Sequence, residues 1–411
     1  MRRHRLVAFG ALAVAACLSA CASLFGFEEL TFSPDASTPP DAPTTTATEQ
    51  PDTAPPIPGI CENPKRVPPR PDAGMGDEQT ELTFAVDRFD VGISESGKLP
   101  IPNGFDLDGV CTAAPEQGSC APPPRQQFEQ YVQDKPGAVD NAGFLILQRL
   151  SESLGNEAPF TPFQINAALR RGRFGFLIDV KGYNGEANDA NVAVAFRPLL
   201  GTTDGGAPRF DGNDAWMLDK DFANVIDFLG STMLDVSAYV RDGVLYAKFP
   251  DVTLPIQRSV NGNVLKIVVR DAVVSARFEK VGAGYALSNG VVAGKWPVVE
   301  AFEGIRRVAY GSDETETLCA QPFYDSQVRT VACSALDIQQ GVGTDAAAPC
   351  DAISVGFGFA ASQTKAAVDR EFRAYRPVTC PKVDCATPLT QGHIPEDAGT
   401  FPPTPVEKRD D

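Results

Sequence analysis

The sequence predicts a mainly β protein, an antiparallel β-sandwich or jelly-roll-like domain with a few short helices inserted. Three observations carry that prediction. Leu82, Phe84 and Val86 alternate with Thr83, Ala85 and Asp87, the period of a strand with one buried face. The stretches "VSAYVRDGVLYAKF" and "RSVNGNVLKIVV" centre on Asp242-Gly243 and Asn261-Gly262, dipeptides that tolerate positive φ at two successive positions, as a two-residue hairpin turn demands. Helical patterns are few and short among these strands, which suits helices decorating an antiparallel sheet.

Along the chain, a basic Met1-Arg2-Arg3-His4-Arg5 precedes the apolar run Leu6 to Ala16, so residues 1–20 read as an export signal. The run is shorter than the ~18–20 apolar residues a spanning helix needs. Residues 21–75 read as a linker: Thr31 to Ile60 holds eight prolines among Thr, Ala and Asp. Such composition favours extended chain at about 3.1 Å per residue, a stem on the order of 100 Å long. Residues 76–385 carry the strand signals and leave room for one large core or two smaller ones. Residues 386–411 are polar and lack periodic apolar positions, the composition of a disordered tail.

Within residues 76–385 three helices are expected. Asp140 is placed to cap a segment whose Phe144, Leu147, Leu150 and Leu154 share a face. Thr161 and Gln164 fit a capping box, with Pro162 at the first helical position, Arg170-Arg171 in the last turn and Gly172 as the stop. A third helix starts at Pro297 and gathers Val298, Phe302 and Ile305. Further on, "ISVGFGFAA" alternates Ile353, Val355, Phe357 and Phe359 with Ser354, Gly356, Gly358 and Ala360. This is a strand with a large face for the core and a small face that another layer can approach closely. Its Gly356-x-Gly358-x-x-Ala361 spacing is therefore read as core and not as a dinucleotide loop.

At Leu18-Ser19-Ala20-Cys21 small residues lead into a thiol where the apolar run ends. The junction resembles the lipobox of bacterial lipoproteins, in which the cysteine receives a diacylglyceryl group and becomes the mature N-terminus. The resemblance covers only the signal and its junction. It implies a palmitate-bearing anchor at Cys21; Ala22, where an aspartate would retain the chain at the inner membrane, implies an outer membrane lipoprotein on the periplasmic or cell-surface side. Ten cysteines are present; lipidating Cys21 leaves eight downstream, an even set, whereas using Val14-Ala15-Ala16-Cys17 leaves nine. Parity does not separate lipidation from an ordinary secretory cut at Ala20-Cys21-Ala22.

Several chemistries are excluded by composition. The two histidines are His4, in the signal, and His393, in the tail. Ser-His-Asp and Cys-His catalysis, histidine-ligated zinc and histidine-ligated haem therefore have none to use. Asp and Glu number 53 against 36 Lys and Arg, three of the latter lost with the signal, so nucleic acid is not a partner. Cys61, Cys111, Cys120, Cys319, Cys333, Cys350, Cys380 and Cys385 lack any Cys-x-x-Cys spacing and read as disulfide cysteines of an exported chain. Short separation pairs Cys111 with Cys120 and Cys380 with Cys385. Ser362-Gln363-Thr364-Lys365 matches the short S-x-x-K element of penicillin-interacting enzymes, but no K-T-G accompanies it.

Two polar groupings remain as candidate sites. Asp106-Leu107-Asp108-Gly109 spaces two carboxylates as calcium loops do, although an EF-hand is excluded because Gly104 and Pro115 would fall at its first and twelfth positions. Tyr183, Asn184, Glu186, Asn188 and Asp189, followed by Asp211, Asn213, Asp214 and Trp216, form a candidate ligand loop for a glycan or another envelope protein. No catalytic residue is assigned. The expectation is an exported, lipid-anchored envelope protein serving as a non-catalytic binding or structural module, membrane-attached and with no cofactor beyond calcium. The alternative is a histidine-independent glycoside hydrolase using an Asp/Glu pair.

Overall fold

The computed structural model describes residues 61–72, 80–92, 103–113, 117–121, 133–154, 161–222, 227–257, 264–310, 316–341, 343–372 and 385. Cys21 and the stem, the turn at Asn261-Gly262, Cys380 and the tail from 386 lie outside these residues. The described residues belong to one unit, 56–411. Its strands are β1 (Thr80–Asp90), β2 (Gly175–Tyr183), β3 (Asp189–Thr202), β4 (Trp216–Asp219), β5 (Leu234–Arg241), β6 (Val244–Gln257), β7 (Val264–Val281), β8 (Gly284–Pro297), β9 (Ala309–Tyr310), β10 (Glu316–Thr317), β11 (Ala352–Thr364) and β12 (Asp369–Glu371).

The mainly β, antiparallel expectation holds, but the sheet closes on itself as an eight-stranded barrel instead of folding into a sandwich or jelly roll. Neighbours run β3-β2-β1-β11-β8-β7-β6-β5, and β5 returns to β3. One edge of β3 makes the closure: its first half pairs with β5, and its last residues pair with β4, which carries β12 in parallel. Register shifts at Asp189/Val192 and Val192/Val194 bend β3 through that junction. Bulges of this kind let a twisted sheet meet its own far edge, and single-residue patterning does not reveal them.

The large-residue faces point inward. Phe84, Phe89, Phe176, Phe196, Phe249, Phe357 and Trp296 are almost fully buried in one apolar cluster. Phe89 sits between Phe176 and Phe357 at ring separations of 5.7 Å. An eight-stranded barrel is just wide enough for side chains to fill it. Alternation turns Lys266, Arg270, Arg277 and Glu279 of β7 outward, the inverse of the apolar outer band of a membrane-spanning barrel. Among the described residues no helix is long and apolar enough to cross a membrane.

The predicted hairpin forms: Asp242 and Gly243 have φ of 52° and 76°, and Arg241 faces Val244. Helix α1 (Gly143–Leu154), α2 (Pro162–Arg170) and α3 (Val298–Ile305) lie where the sequence puts them. Thr161 Oγ1 accepts from Gln164 N at 3.2 Å, and Gly172 ends α2 with φ 66°. Helix α1 begins at Gly143, three residues beyond Asp140, and the Asp140 carboxylate accepts from Leu107 N at 2.6 Å. A π-helical turn, Tyr324–Arg329, leads into α4 (Thr330–Ser334).

The short-range cysteine pairings are wrong. Cys61 bonds Cys111, Cys120 bonds Cys350 and Cys333 bonds Cys385, at sequence separations of 50, 230 and 52; Cys319 is disulfide-bonded as well. Partners are chosen by which segments share the barrel wall, and long closed loops remove more freedom from the unfolded chain than short ones. Residues 61–72, assigned to the linker by composition, belong to that wall. Lys65 N donates to Gly137 O at 2.8 Å, Arg241 to Pro69 O at 2.7 Å, and Tyr239 Oη to Pro68 O.

Candidate functional site

The small face of β11 positions the site. An ideal Cβ on Gly356 would stand 2.1 Å from the carbonyl oxygen of Asn103, so only glycine lets residues 103–104 lie on this strand. Asn141 locks the contact: its Nδ2 donates to Asn103 O at 2.8 Å and Gly356 O at 3.0 Å, while Gly356 N donates to its Oδ1 at 3.2 Å. Ser354 Oγ accepts from Ala142 N at 2.9 Å. Phe105 then packs on Val273, Val291 and Ala293 of the neighbouring wall.

Seating the segment this way gathers aspartates far apart in sequence. One carboxylate oxygen from each of Asp106, Asp108 and Asp140 lies within 4.8 Å of the others. Asp134 and Asp337 are close enough to raise the pKa of Asp140 electrostatically. Backbone amides hold each member: Gly109 N on Asp106 at 2.7 Å, Val110 N on Asp108 at 2.8 Å and Thr112 N on Asp134 at 2.8 Å. Ser354 N donates to Asp337 Oδ1 at 2.7 Å. Positive charge is scarce. Arg66 Nε meets Asp106 Oδ2 at 2.6 Å from the solvent side. Lys135, whose Nζ donates to Gln133 O at 2.6 Å and lies 5.3 Å from the Phe144 ring centre, is itself pushed down by burial against the pull of Asp337, Asp134 and Asp140.

Burial and mutual repulsion therefore favour protonated carboxyls. Burial first, then Asp134 and Asp108, push Asp337 up to about 7, against the hydrogen bonds from Ser354. Burial likewise raises Asp134 to about 7, and Asp140 well above the usual carboxylate range. Between the ordinary value of 3.8 and about 7 the folded chain holds protons that the unfolded chain has released. Stability present below that ordinary value is thus lost as pH rises through 7. At about 1.4 kcal/mol per pKa unit the Asp337 contribution is on the order of 2–4 kcal/mol. In chelator, urea unfolding is expected to show a higher midpoint at pH 5 than at pH 8, with Asp337→Asn narrowing the gap. A midpoint that rises from pH 5 to pH 8 contradicts this assignment.

The polar loops fare differently. Tyr183 is buried, stacked on Phe278 at 4.3 Å with its hydroxyl on Glu186 O at 3.0 Å. Asn184 N donates to Asp189 Oδ2 at 2.8 Å, Glu186 N to Asn184 Oδ1 at 2.9 Å, and Asp242 N to Asn188 Oδ1 at 3.1 Å. In the second loop Phe210 N donates to the buried Asp214 at 2.7 Å and Asn213 N to Asp211 at 2.9 Å. Trp216 is buried and donates through Nε1 to Thr364 Oγ1 at 2.9 Å. No described hydrogen bond or ion pair joins the two loops, and both aromatics are spent on packing. The S-x-x-K pair is likewise divided: Ser362 Oγ donates to Asp87, and Lys365 Nζ to Asn213 Oδ1 at 3.1 Å.

Of the expected ligand residues, the structure brings Asp106 and Asp108 into a cluster and leaves the others in two separate loops and the strand ends that flank them. Asp134, Asp140, Asp337 and Ser119 join it without any sequence motif. The small face of "ISVGFGFAA" was the one signal that something docks there. Comparison with family models, with curated proteins and with solved structures finds nothing that matches this chain.

Proposed function

We propose that the chain is an exported, lipid-anchored envelope protein whose barrel is a non-catalytic binding or structural module, facing the periplasm or the cell exterior from the outer membrane. The observation that carries this reading is the oxidation state of its thiols: Cys61, Cys111, Cys120, Cys319, Cys333, Cys350 and Cys385 are all in disulfides. Such a pattern persists in oxidising compartments, and the Leu18 to Cys21 junction supplies the route there. Non-catalytic use is supported by the aspartate cluster itself. Its oxygens lie within 4.8 Å, each held by backbone donors. A glycosidase pair faces across a cleft at about 5–9.5 Å. With Tyr183 and Trp216 buried, an envelope protein is a better partner than a glycan gripped by stacked aromatics.

The anchor is tested by detergent phase partitioning and mass spectrometry of the native protein. The wild type is expected in the detergent phase with a diacylglyceryl group on Cys21, and Cys21→Ser in the aqueous phase. A wild type that partitions into water with an unmodified N-terminus removes the lipid from the proposal.

A further inference from the structure

We infer that the aspartate cluster on the barrel wall is a binding site for one divalent cation of the calcium type, with Asp106, Asp108 and Asp140 as carboxylate ligands and Ser119 as a neutral one. This goes beyond the anchoring proposal and does not rest on it. The geometry is of the right size: calcium takes oxygens at about 2.3–2.6 Å, so ligands on opposite sides of its shell are at most about 5 Å apart. The three carboxylate oxygens lie within 4.8 Å of one another.

The second observation is Ser119. It is 3 % exposed, and its Oγ has no hydrogen-bond partner. It lies close enough to Asp108 to favour that carboxylate's charged form without completing a hydrogen bond to it. Buried hydroxyls are rarely left unpaired, and one aimed at a carboxylate cluster has a use if both face an ion. Asp108 also lines a pocket of about 240 Å³ with Leu107, Asp271 and Lys295, so the cluster has an opening at this one ligand. The lysine is not a free positive charge at the entrance, because its Nζ is engaged by Gly341 O at 3.0 Å and Asp271 at 3.4 Å.

Two of the three ligand-bearing segments are pinned covalently, those of Asp106-Asp108 and of Ser119. Cys111, three residues beyond Asp108, is tied to Cys61, and Cys120, next to Ser119, is tied to Cys350. Asp106 Oδ2 accepts from the exposed Arg66, while its own side chain is buried. Asp134, Asp140 and Asp337 act on Lys135 and Asp106 pairs with Arg66, so carboxylates outnumber the basic side chains facing them, an imbalance that a divalent ion relieves. An irregular set of three carboxylates and a hydroxyl suits calcium better than magnesium, which demands a tighter octahedron and keeps most of its water.

The test uses purified full-length protein stripped with EDTA, titrated calorimetrically with calcium chloride and melted with calcium chloride, magnesium chloride or sodium chloride at matched ionic strength. Expected are one saturable calcium site per chain and a melting temperature raised by calcium, less by magnesium and not by sodium. Asp108→Asn with Asp140→Asn is expected to weaken binding at least about tenfold, Ser119→Ala to weaken it less, and Asp211→Asn to leave it unchanged. Calcium acting no more strongly than sodium, or binding undiminished in the folded Asp108→Asn/Asp140→Asn protein, overturns the proposal. Should that double variant not fold, the wild-type titration and Ser119→Ala decide it.

Discussion

Arg197→Ala is expected to cost about 3–5 kcal/mol of stability near pH 8, the range for stranding one charge of a buried ion pair. Arg197 on β3 and Asp179 on β2 form an ion pair with side chains 3 % and 5 % exposed. Their register puts them on the outer wall of the barrel, the side on which Leu177, Leu199, Trp216 and Leu218 form a separate cluster. Thr83 Oγ1 donates to Asp179 Oδ1 at 2.6 Å, so the carboxylate is fixed from both neighbouring strands. Burial pushes the Asp179 carboxyl upward, and Arg197 is the main force pulling it back. Without the arginine, Asp179 escapes part of the cost by taking a proton. The loss should therefore be smaller at pH 5.5 than at pH 8 in urea unfolding. Asp179→Leu combined with Arg197→Met should cost much less than Arg197→Ala alone, because it removes both charges instead of isolating one. A cost below about 1 kcal/mol for Arg197→Ala at pH 8 would show that the pair is solvated in solution.

How much of this was legible in the sequence follows from the range of the interactions involved. The strand around Phe84, the turn at Asp242-Gly243 and the caps of α2 were readable because their causes lie within a few residues: alternation, positive φ, a threonine three residues before an amide donor. Barrel closure was not, because it depends on bulges in β3 and on β5 returning to a strand some forty residues earlier, and neither leaves a mark in local alternation. The disulfides failed for the same reason. Cys120 finds Cys350 across 230 residues because the backbones beside them pair, Ala121 N donating to Ala348 O and Cys350 N to Ala121 O. Asp140 shows how a local rule yields to a tertiary one. Its position before α1 suits a cap, yet its Oδ2 accepts from Leu107 N, on the segment that Gly356 lets lie against the barrel around Asn103. The polar loops misled in the opposite direction, since Asn and Asp that look available for a ligand were closing their own turns.

Gly356→Ala tests that seating directly and is expected to be the most damaging single methyl addition on β11. The new Cβ would stand 2.1 Å from Asn103 O and 2.9 Å from the Cα of Gly104, and both obstacles are backbone. The facing segment must lift, and lifting it breaks the Asn141 hydrogen bonds to Gly356 and Asn103 together. Overpacking costs about 1–3 kcal/mol and each lost buried hydrogen bond about 1 kcal/mol more, so a loss of about 3 kcal/mol or greater is expected. Gly358→Ala supplies the comparison. Its Cβ meets only the side-chain amide of Asn103, at 2.8–3.1 Å, and a side chain can turn away where backbone cannot. It should therefore cost about 1 kcal/mol, while Gly341→Ala, with nothing within 4 Å of its Cβ, should be close to neutral. Equal midpoints for Gly356→Ala and Gly358→Ala in urea would mean that residues 103–104 do not rest on the strand. A selective loss at Gly356 would instead tie the small face of β11 to the wall on which the aspartates assemble, and should loosen that cluster along with the fold.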